Sequence, residues 1–163
     1  MTVRPFEEIV MEHGPMIRRL CRTLLDSADA DDAWAETFLA ALRAYPRLRP
    51  GSNVRGWLVT IAHRKAIDQI RAAGRRAQSG TDVGDIPSSR ADPAERDGDL
   101  WAAWKALPPK QRRAVAYHHV AGLPYAEVGV LLETSEVAAR RSAADGIANL
   151  RKTYAKGKKG RRT

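Results

Sequence analysis

Apolar residues along this chain recur every three or four positions rather than every second one, the spacing of one face of an α-helix. The first stripe, Phe6, Ile9 and Val10, meets Gly14-Pro15, where proline can open a helix but not continue one, so the pattern predicts a break. A second helix carries Ile17, Leu20, Cys21, Leu24 and Leu25 and stops in the acidic turn from Asp26 to Asp32. Asp29 or Asp31 is placed to cap a third, on which Trp34, Phe38, Leu42 and Tyr45 recur until Pro46 and the Pro50-Gly51 turn. Asn53 can cap a fourth helix. Its buried stripe is Val54, Trp57, Leu58, Ile61, Ala62, Ala66 and Ile70, leaving Arg55, His63, Arg64, Lys65 and Arg71 outside.

Periodicity then vanishes between 78 and 98, where Gly80, Gly84, Pro87, Ser88, Ser89, Pro93 and Gly98 mark a flexible, mildly acidic linker. Helical spacing resumes at Leu100 with Trp101, Ala103, Trp104 and Leu107, up to Pro108-Pro109. Three more helices fit: Pro109 to about Ala121, Pro124 to Leu132, and Glu136 to about Thr153. Gly122 stops the first, and Ser135 caps the last. Two short helices joined by a tight turn, the second with arginines near its start, have the arrangement of a helix-turn-helix. The pattern therefore predicts an all-α chain of two small helical domains, 1–77 and 99–155, with the linker 78–98 between them and a basic disordered tail at 156–163.

Composition sharpens this picture in three ways. The chain of 163 residues can bury only modest cores, and with aromatics at 6% alanine and leucine do most of the helix packing. A net charge of +9 puts a polyanion first among partners, although ribosomal, nucleoid, promoter-binding and membrane-surface proteins share that balance. No run approaches the roughly 20 apolar residues of a membrane span, and no basic-then-apolar signal opens the chain, which implies no membrane insertion and a cytoplasmic protein. The single Cys21 excludes an internal disulfide; core packing and a redox role are the two readings open to it. In the tail, Lys156, Lys158, Lys159, Arg161 and Arg162 suit a solubilising end or a phosphate-binding arm.

No HExxH, CxxC, glycine-rich phosphate loop or GxSxG elbow occurs, and no residue set implies a cofactor or metal, so the chain reads as a non-enzyme. His118 and His119 are adjacent on a helix, about 100° apart around its axis, and so poorly placed to share one metal ion.

Two blocks carry a family resemblance. Residues 29–76, DADDAWAETFLAALRAYPRLRPGSNVRGWLVTIAHRKAIDQIRAAGRR, look like region 2 of the extracytoplasmic-function group of the sigma-70 family. Residues 107–136, LPPKQRRAVAYHHVAGLPYAEVGVLLETSE, look like its region 4. Both occur in the family's order, with a Pro/Gly/Asp linker and no region 3 between them. The resemblance implies an alternative sigma factor that binds core RNA polymerase, through the clamp helices of its largest subunit and its flap, and directs promoter-specific initiation. Asp32, Glu36, Thr37, Leu39, Ala40 and Arg43 would dock on the clamp; an exposed, merely solvated role for Glu36 and Arg43 is the alternative.

For the −10 element the resemblance implies melting by Ser52, Asn53, Arg55, His63, Arg64, Lys65, Asp68 and Arg71, with the loop Pro50 to Asn53 as a base pocket and the cations along the backbone. Asp68 can accept from a base or pair with Arg64 or Arg71; Trp57 can stack on a base or pack the core. For the −35 element it implies Ser135, Glu136, Arg140 and Arg141, since arginine's planar fork donates twice to one guanine edge.

The chain departs from the family pattern at several positions: Ala35 replaces a glutamine, Gly129 an alanine and Glu133 the turn glycine. Val137, Ala138 and Ala139 stand for Gly-Thr-Val, while Ser142, Asp145 and Ile147 stand where basic residues are usual. Asp145 is expected to face away from DNA or toward a protein. An anti-sigma protein is a further implied partner. A free-standing operator-binding repressor and a basic RNA-binding protein are the competing readings, and 29–76 discriminates, because a repressor needs no clamp-docking helix.

Overall fold

The computed structural model describes residues 3–78 and 98–160, and the chain divides into two compact units. Among the described residues every regular element is helical. The expected linker lies, apart from its end residues, outside them.

The first unit holds α1 (Phe6–Leu24), α2 (Ser27–Ala44), a 3₁₀ turn (Tyr45–Arg47) and α3 (Val54–Gln78). Its core is built from Ile9, Met16, Ile17, Leu20 and Leu25 against Phe38, Leu58 and Val59, with Ala33, Ala41, Ala62 and Ala66 letting the helices approach. An aromatic chain ties the elements together. Phe38 lies 4.9 Å from Trp34 and 6.5 Å from Phe6, and Phe6 is 5.4 Å from Tyr45; such tilted pairs add about 0.5 to 1.5 kcal/mol each beyond the area they bury. Cys21 is buried in this core, and burial pushes its thiol up to about 12, so it stays protonated and packs as a small apolar residue.

Two expectations fail here. No break occurs at Gly14-Pro15: α1 runs straight through. Proline at 15 deprives the Met11 carbonyl of its helical partner, but Met11 and Pro15 both lie on the exposed side, where water can serve that carbonyl. The buried side is meanwhile held by the Trp34 indole N–H, which donates to the Gly14 carbonyl at 3.0 Å. The acidic turn is also shorter than expected. α2 starts at Ser27, so Asp29 and Asp31 sit in its first turns rather than before it, and Asp26 occupies the cap position.

The second unit holds α4 (Gly98–Lys105), α5 (Pro109–Val115), a wide π turn (Ala116–Val120), α6 (Tyr125–Leu131) and α7 (Glu136–Gly160). Leu107, Val115, Tyr117, Leu123 and Val128 fill its core between buried Ala103, Ala114, Ala139 and Ala143. Gly122 turns the chain at φ +72°, as its sequence position predicted. The stretch expected to be unstructured from 156 is helical through 160, because α7 continues past Thr153. Its last turns meet α4, where Gly157 faces Asp99, and lysines such as Lys156 and Lys159 suit the negative end of the helix dipole. Residues 161–163 lie outside the described residues. No described helix is long and apolar enough to cross a membrane.

Candidate functional site

On α2 the side chains divide sharply between inside and outside. Ala30, Ala33, Thr37 and Ala41 line the buried stripe, and Thr37 is wholly enclosed, its hydroxyl donating to the Ala33 carbonyl at 2.6 Å. It therefore belongs to the core rather than to the outward face on which sequence placed it. Asp32, Glu36, Leu39 and Arg43 are exposed and Ala40 half-buried. Leu42, expected inside, is 51% exposed beside Leu39 at 52%, so the outer face pairs two leucines with acidic and basic neighbours. One residue of rotation explains both corrections: α2 turns the small stripe Ala33, Thr37 and Ala41, with Phe38 beside it, toward its neighbours.

The loop before α3 closes on itself. Gly51 adopts φ +80°, the Ser52 hydroxyl donates to the Arg49 carbonyl at 2.5 Å, and the Gly56 N–H donates to Asn53 Oδ1 at 3.1 Å, which makes Asn53 the predicted N-cap. Beside the loop lies a cavity of about 270 Å³, lined by Arg4, Tyr45, Arg49, Pro50, Gly51 and Ser52 with Val3, Ile9, Leu48 and Val54. Arg4 is held there by Glu12 at 2.5 Å and Glu8 at 3.4 Å, and the Tyr45 hydroxyl donates to the Arg4 carbonyl.

Farther along α3 the predicted cations separate into different faces. Arg64, Asp68, Arg71 and Arg75 are all exposed, and spacings of four, three and four place them on one stripe. Neither Arg64 nor Arg71 closes an ion pair with Asp68 among the described residues. Lys65 and His63 are half-buried on either flank. Arg55 lies nearly opposite the stripe, toward α1, where Arg4 chiefly lowers the pKa of Glu12 and burial chiefly that of His13, the Arg55 charge adding a little to both. Arg75 was missed by the sequence reading, although its spacing from Arg71 was visible; Arg76 instead reaches Asp29 at 4.0 Å. Trp57 is half-buried, 6.5 Å from Tyr45.

In the second unit, α6 and α7 form a tight pair. Thr134 N–H donates to the Gly129 carbonyl at 2.9 Å, and Glu133 stands at φ +55°, a backbone conformation that favours glycine. A Cβ on Gly129 would fall 2.9 Å from the Thr134 carbonyl oxygen, closer than real Cβ atoms come, so glycine at 129 lets the turn press against α6. The Ser135 hydroxyl accepts the Ala138 N–H at 3.0 Å and caps α7 as predicted. Glu136, Arg140 and Arg141 follow on exposed positions; Glu136 approaches Arg140 at 3.6 Å, and the Arg140 guanidinium lies over the Tyr125 ring at 4.6 Å. Asp145 is exposed one turn beyond Arg141. Val137, passed over as a site residue, is 70% exposed between Glu136 and the arginines. Among the described residues no cluster of histidine, cysteine or carboxylate side chains could hold a metal ion.

Comparison with known proteins bears on both units. Residues 9–76 match the family model described as Sigma-70 region 2, and residues 98–150 match that described as Sigma-70, region 4. RNA polymerase sigma factor CarQ of Myxococcus xanthus is 33% identical over 153 residues, covering 90% of this chain and 87% of its own length. ECF RNA polymerase sigma factor SigE of Mycolicibacterium smegmatis is 31% identical over 136 residues; there the match covers 78% of this chain but 52% of the relative. Among solved structures, the sigma factor RpoE bound to the anti-sigma factor NepR, from Bartonella quintana, aligns over 93% of this chain and 97% of its own with a TM-score of 0.77 at 21% identity. CnrH, in complex with the cytosolic domain of CnrY, aligns over 89% of this chain and 84% of its own with a TM-score of 0.64 at 22% identity. At those identities the likeness speaks to the fold.

Proposed function

The chain belongs to the extracytoplasmic-function group of the sigma-70 family, and from that premise we propose which of its surfaces do the work of a promoter-specificity subunit. Such a subunit is non-catalytic: it binds core RNA polymerase and directs initiation at selected promoters. The exposed face of α2, with Leu39 and Leu42 between Asp32, Glu36 and Arg43, docks on the clamp helices of the largest polymerase subunit, with Ala40 at its edge. Half-exposed leucines carry this assignment, because a merely solvated helix gains nothing from them. Region 4 reaches the polymerase flap.

The cavity beside Pro50 to Ser52 receives an unstacked base of the −10 element, and the stripe Arg64, Asp68, Arg71 and Arg75 follows the strand backbone, with His63 and Lys65 at its flanks. Asn53 holds the loop by capping α3, and Arg55 adds positive charge on the α1 side. In the second unit, Ser135 and Glu136 set the start of the recognition helix, while Arg140 and Arg141 enter the major groove of the −35 element. The domain bodies 1–77 and 99–155 correspond to these two tasks. The protein works in the cytoplasm, and an anti-sigma protein covers its polymerase-facing surfaces when it is held inactive, as NepR and CnrY accompany the two similar structures.

Binding of core polymerase by purified chain, followed by transcription from a promoter library, tests the docking face. Leu39→Glu should abolish both, whereas Thr37→Val, inside the core, should leave polymerase affinity unchanged. Full activity of Leu39→Glu would move the docking surface elsewhere. Tight operator binding by the chain alone, with no retention of polymerase, would favour the repressor reading. On the DNA side, Arg140→Ala should cost about 1 to 3 kcal/mol at one −35 base pair, while Arg71→Ala weakens all promoters alike.

A further inference from the structure

Arg140 does not stand free at the surface of α7. Glu136 approaches it from the preceding turn, but both side chains are more than half exposed, so water screens that pair and it holds the arginine only loosely. Tyr125, the first residue of α6, offers a firmer partner: its ring carries the Arg140 guanidinium 4.6 Å from the centroid. The ring is itself backed by His118, which stacks on it at 3.8 Å with 14° between the planes. The imidazole fills one face of the tyrosine, so the guanidinium takes the other.

His118 is in turn fixed to the backbone. Its Nδ1–H donates to the Leu123 carbonyl at 2.8 Å, and it emerges from the wide turn Ala116–Val120, closed by the Ala121 N–H on the Ala116 carbonyl at 3.0 Å. Wide turns of this kind are rare and are found frequently at functional sites. A column thus rises from the main chain before α6, through two rings, to an arginine on α7.

The column's chemistry suits a particular task. A cation over an aromatic face is held through its flat side, and the N–H groups at its edge stay available. An arginine that reads a guanine needs that edge in the plane of the base, with both donors aimed at O6 and N7. A long, unsupported side chain visits this geometry rarely and loses rotamer freedom on binding. We propose that Tyr125, backed by His118, is a positioning residue for −35 recognition: it holds the Arg140 guanidinium so that its donor edge meets a guanine in the major groove. The inference rests on Arg140 as a base-reading residue.

Transcription by the full chain with core polymerase, from promoters in which each −35 base pair is replaced in turn, separates the two ideas. Tyr125→Leu should lower transcription from the preferred sequence about three- to tenfold, the size of a lost cation–π contact. It should also flatten the preference at the same base pair that Arg140→Ala flattens. The double variant should be no worse than Arg140→Ala alone, and Tyr125→Phe, which keeps the ring face, should stay within about twofold of the unaltered chain. A Tyr125→Phe variant that falls as far as Tyr125→Leu would overturn the proposal, because the hydroxyl rather than the face would then matter. So would a Tyr125→Leu loss that is equal on every promoter and adds in full to that of Arg140→Ala. Failure of the underlying reading shows separately, as an Arg140→Ala variant whose base preference is unchanged.

Discussion

The two units solve the same packing problem with different tolerances. In the first, the α1 backbone at buried Gly14 leaves room for a methyl: a Cβ there would meet the Trp34 ring at 3.7 Å, ordinary contact. In the second, a Cβ on Gly129 would stand 2.9 Å from backbone, and one on Gly146 would stand 2.8 Å from Val115 Cγ2 and 3.2 Å from the Gln111 carbonyl. The first unit presents broad surfaces on long helices, and a shift of a few tenths of an ångström leaves such a surface intact. In the second the helices are locked at closest approach, and even the turn accepts a left-handed residue at Glu133, which suits the proposed task of aiming a few side chains at base edges.

The largest test of that contrast is Gly129→Ala. All three nearest neighbours of the new methyl are backbone atoms of the turn, which have no rotamer to move into. A loss of about 2 to 3 kcal/mol is expected in urea denaturation of the full chain, with transcription reduced most at promoters that depend on the −35 element. Gly146→Ala should cost somewhat less, about 1 to 2 kcal/mol, because helix propensity returns part of the overpacking. Gly14→Ala should do the opposite and stabilise the first unit by up to about 1 kcal/mol. Equal losses at Gly14 and Gly129 would break the comparison.

The same contrast explains how much was legible from sequence. The caps at Asn53 and Ser135 and the turns at Gly51 and Gly122 are local, and each was readable because the residue type meets a backbone need at its own position. The helical stripes were readable in outline, although Ile70, expected inside, is 39% exposed. Continuity through Pro15 was not, because it depends on which side of α1 faces water and on an indole arriving from α2. Nor was the exchange of Thr37 for Leu42: a hydropathy pattern ranks leucine above threonine, whereas the hydroxyl is satisfied by Ala33 and the smaller volume fits the crossing. Of the candidate site, the helical pattern placed Arg140 and Arg141 near the start of α7, where both are exposed, while their proposed role came only from the family resemblance. The column beneath Arg140 joins a wide turn, α6 and α7, and no local pattern marks it.

Glu133→Gly gives a smaller effect of opposite sign to Gly129→Ala. The backbone at 133 already sits at φ +55°, so glycine relieves strain of about 1 to 2 kcal/mol while adding freedom to the unfolded chain. A net gain of about 0.5 to 1 kcal/mol in the second unit is expected from denaturation, with −35 preference unchanged because the turn keeps its shape. A changed preference would mean that the strained turn itself tunes α7, and would sharpen the contrast between the units.

The smallest expected effect is one of pH, and it again separates the units. Burial lowers the pKa of His13 in the first unit, Arg55 and Arg4 add to the shift, and Glu12, at 3.7 Å, opposes it. The folded unit therefore prefers His13 neutral, while the unfolded chain takes up a proton near the ordinary value of 6.5. Stability from this group is complete above that value and is lost as pH falls below it, since the unfolded state then binds more protons. In the second unit, burial and the neighbouring His118 shift His119 in the same direction, but its side chain is exposed and solvent screening weakens the linkage. Denaturation midpoints measured from pH 7.5 to 5.5 should thus fall more for the first unit than for the second. His13→Gln should flatten the first unit's profile, whereas an unchanged slope would place its acid sensitivity on other groups.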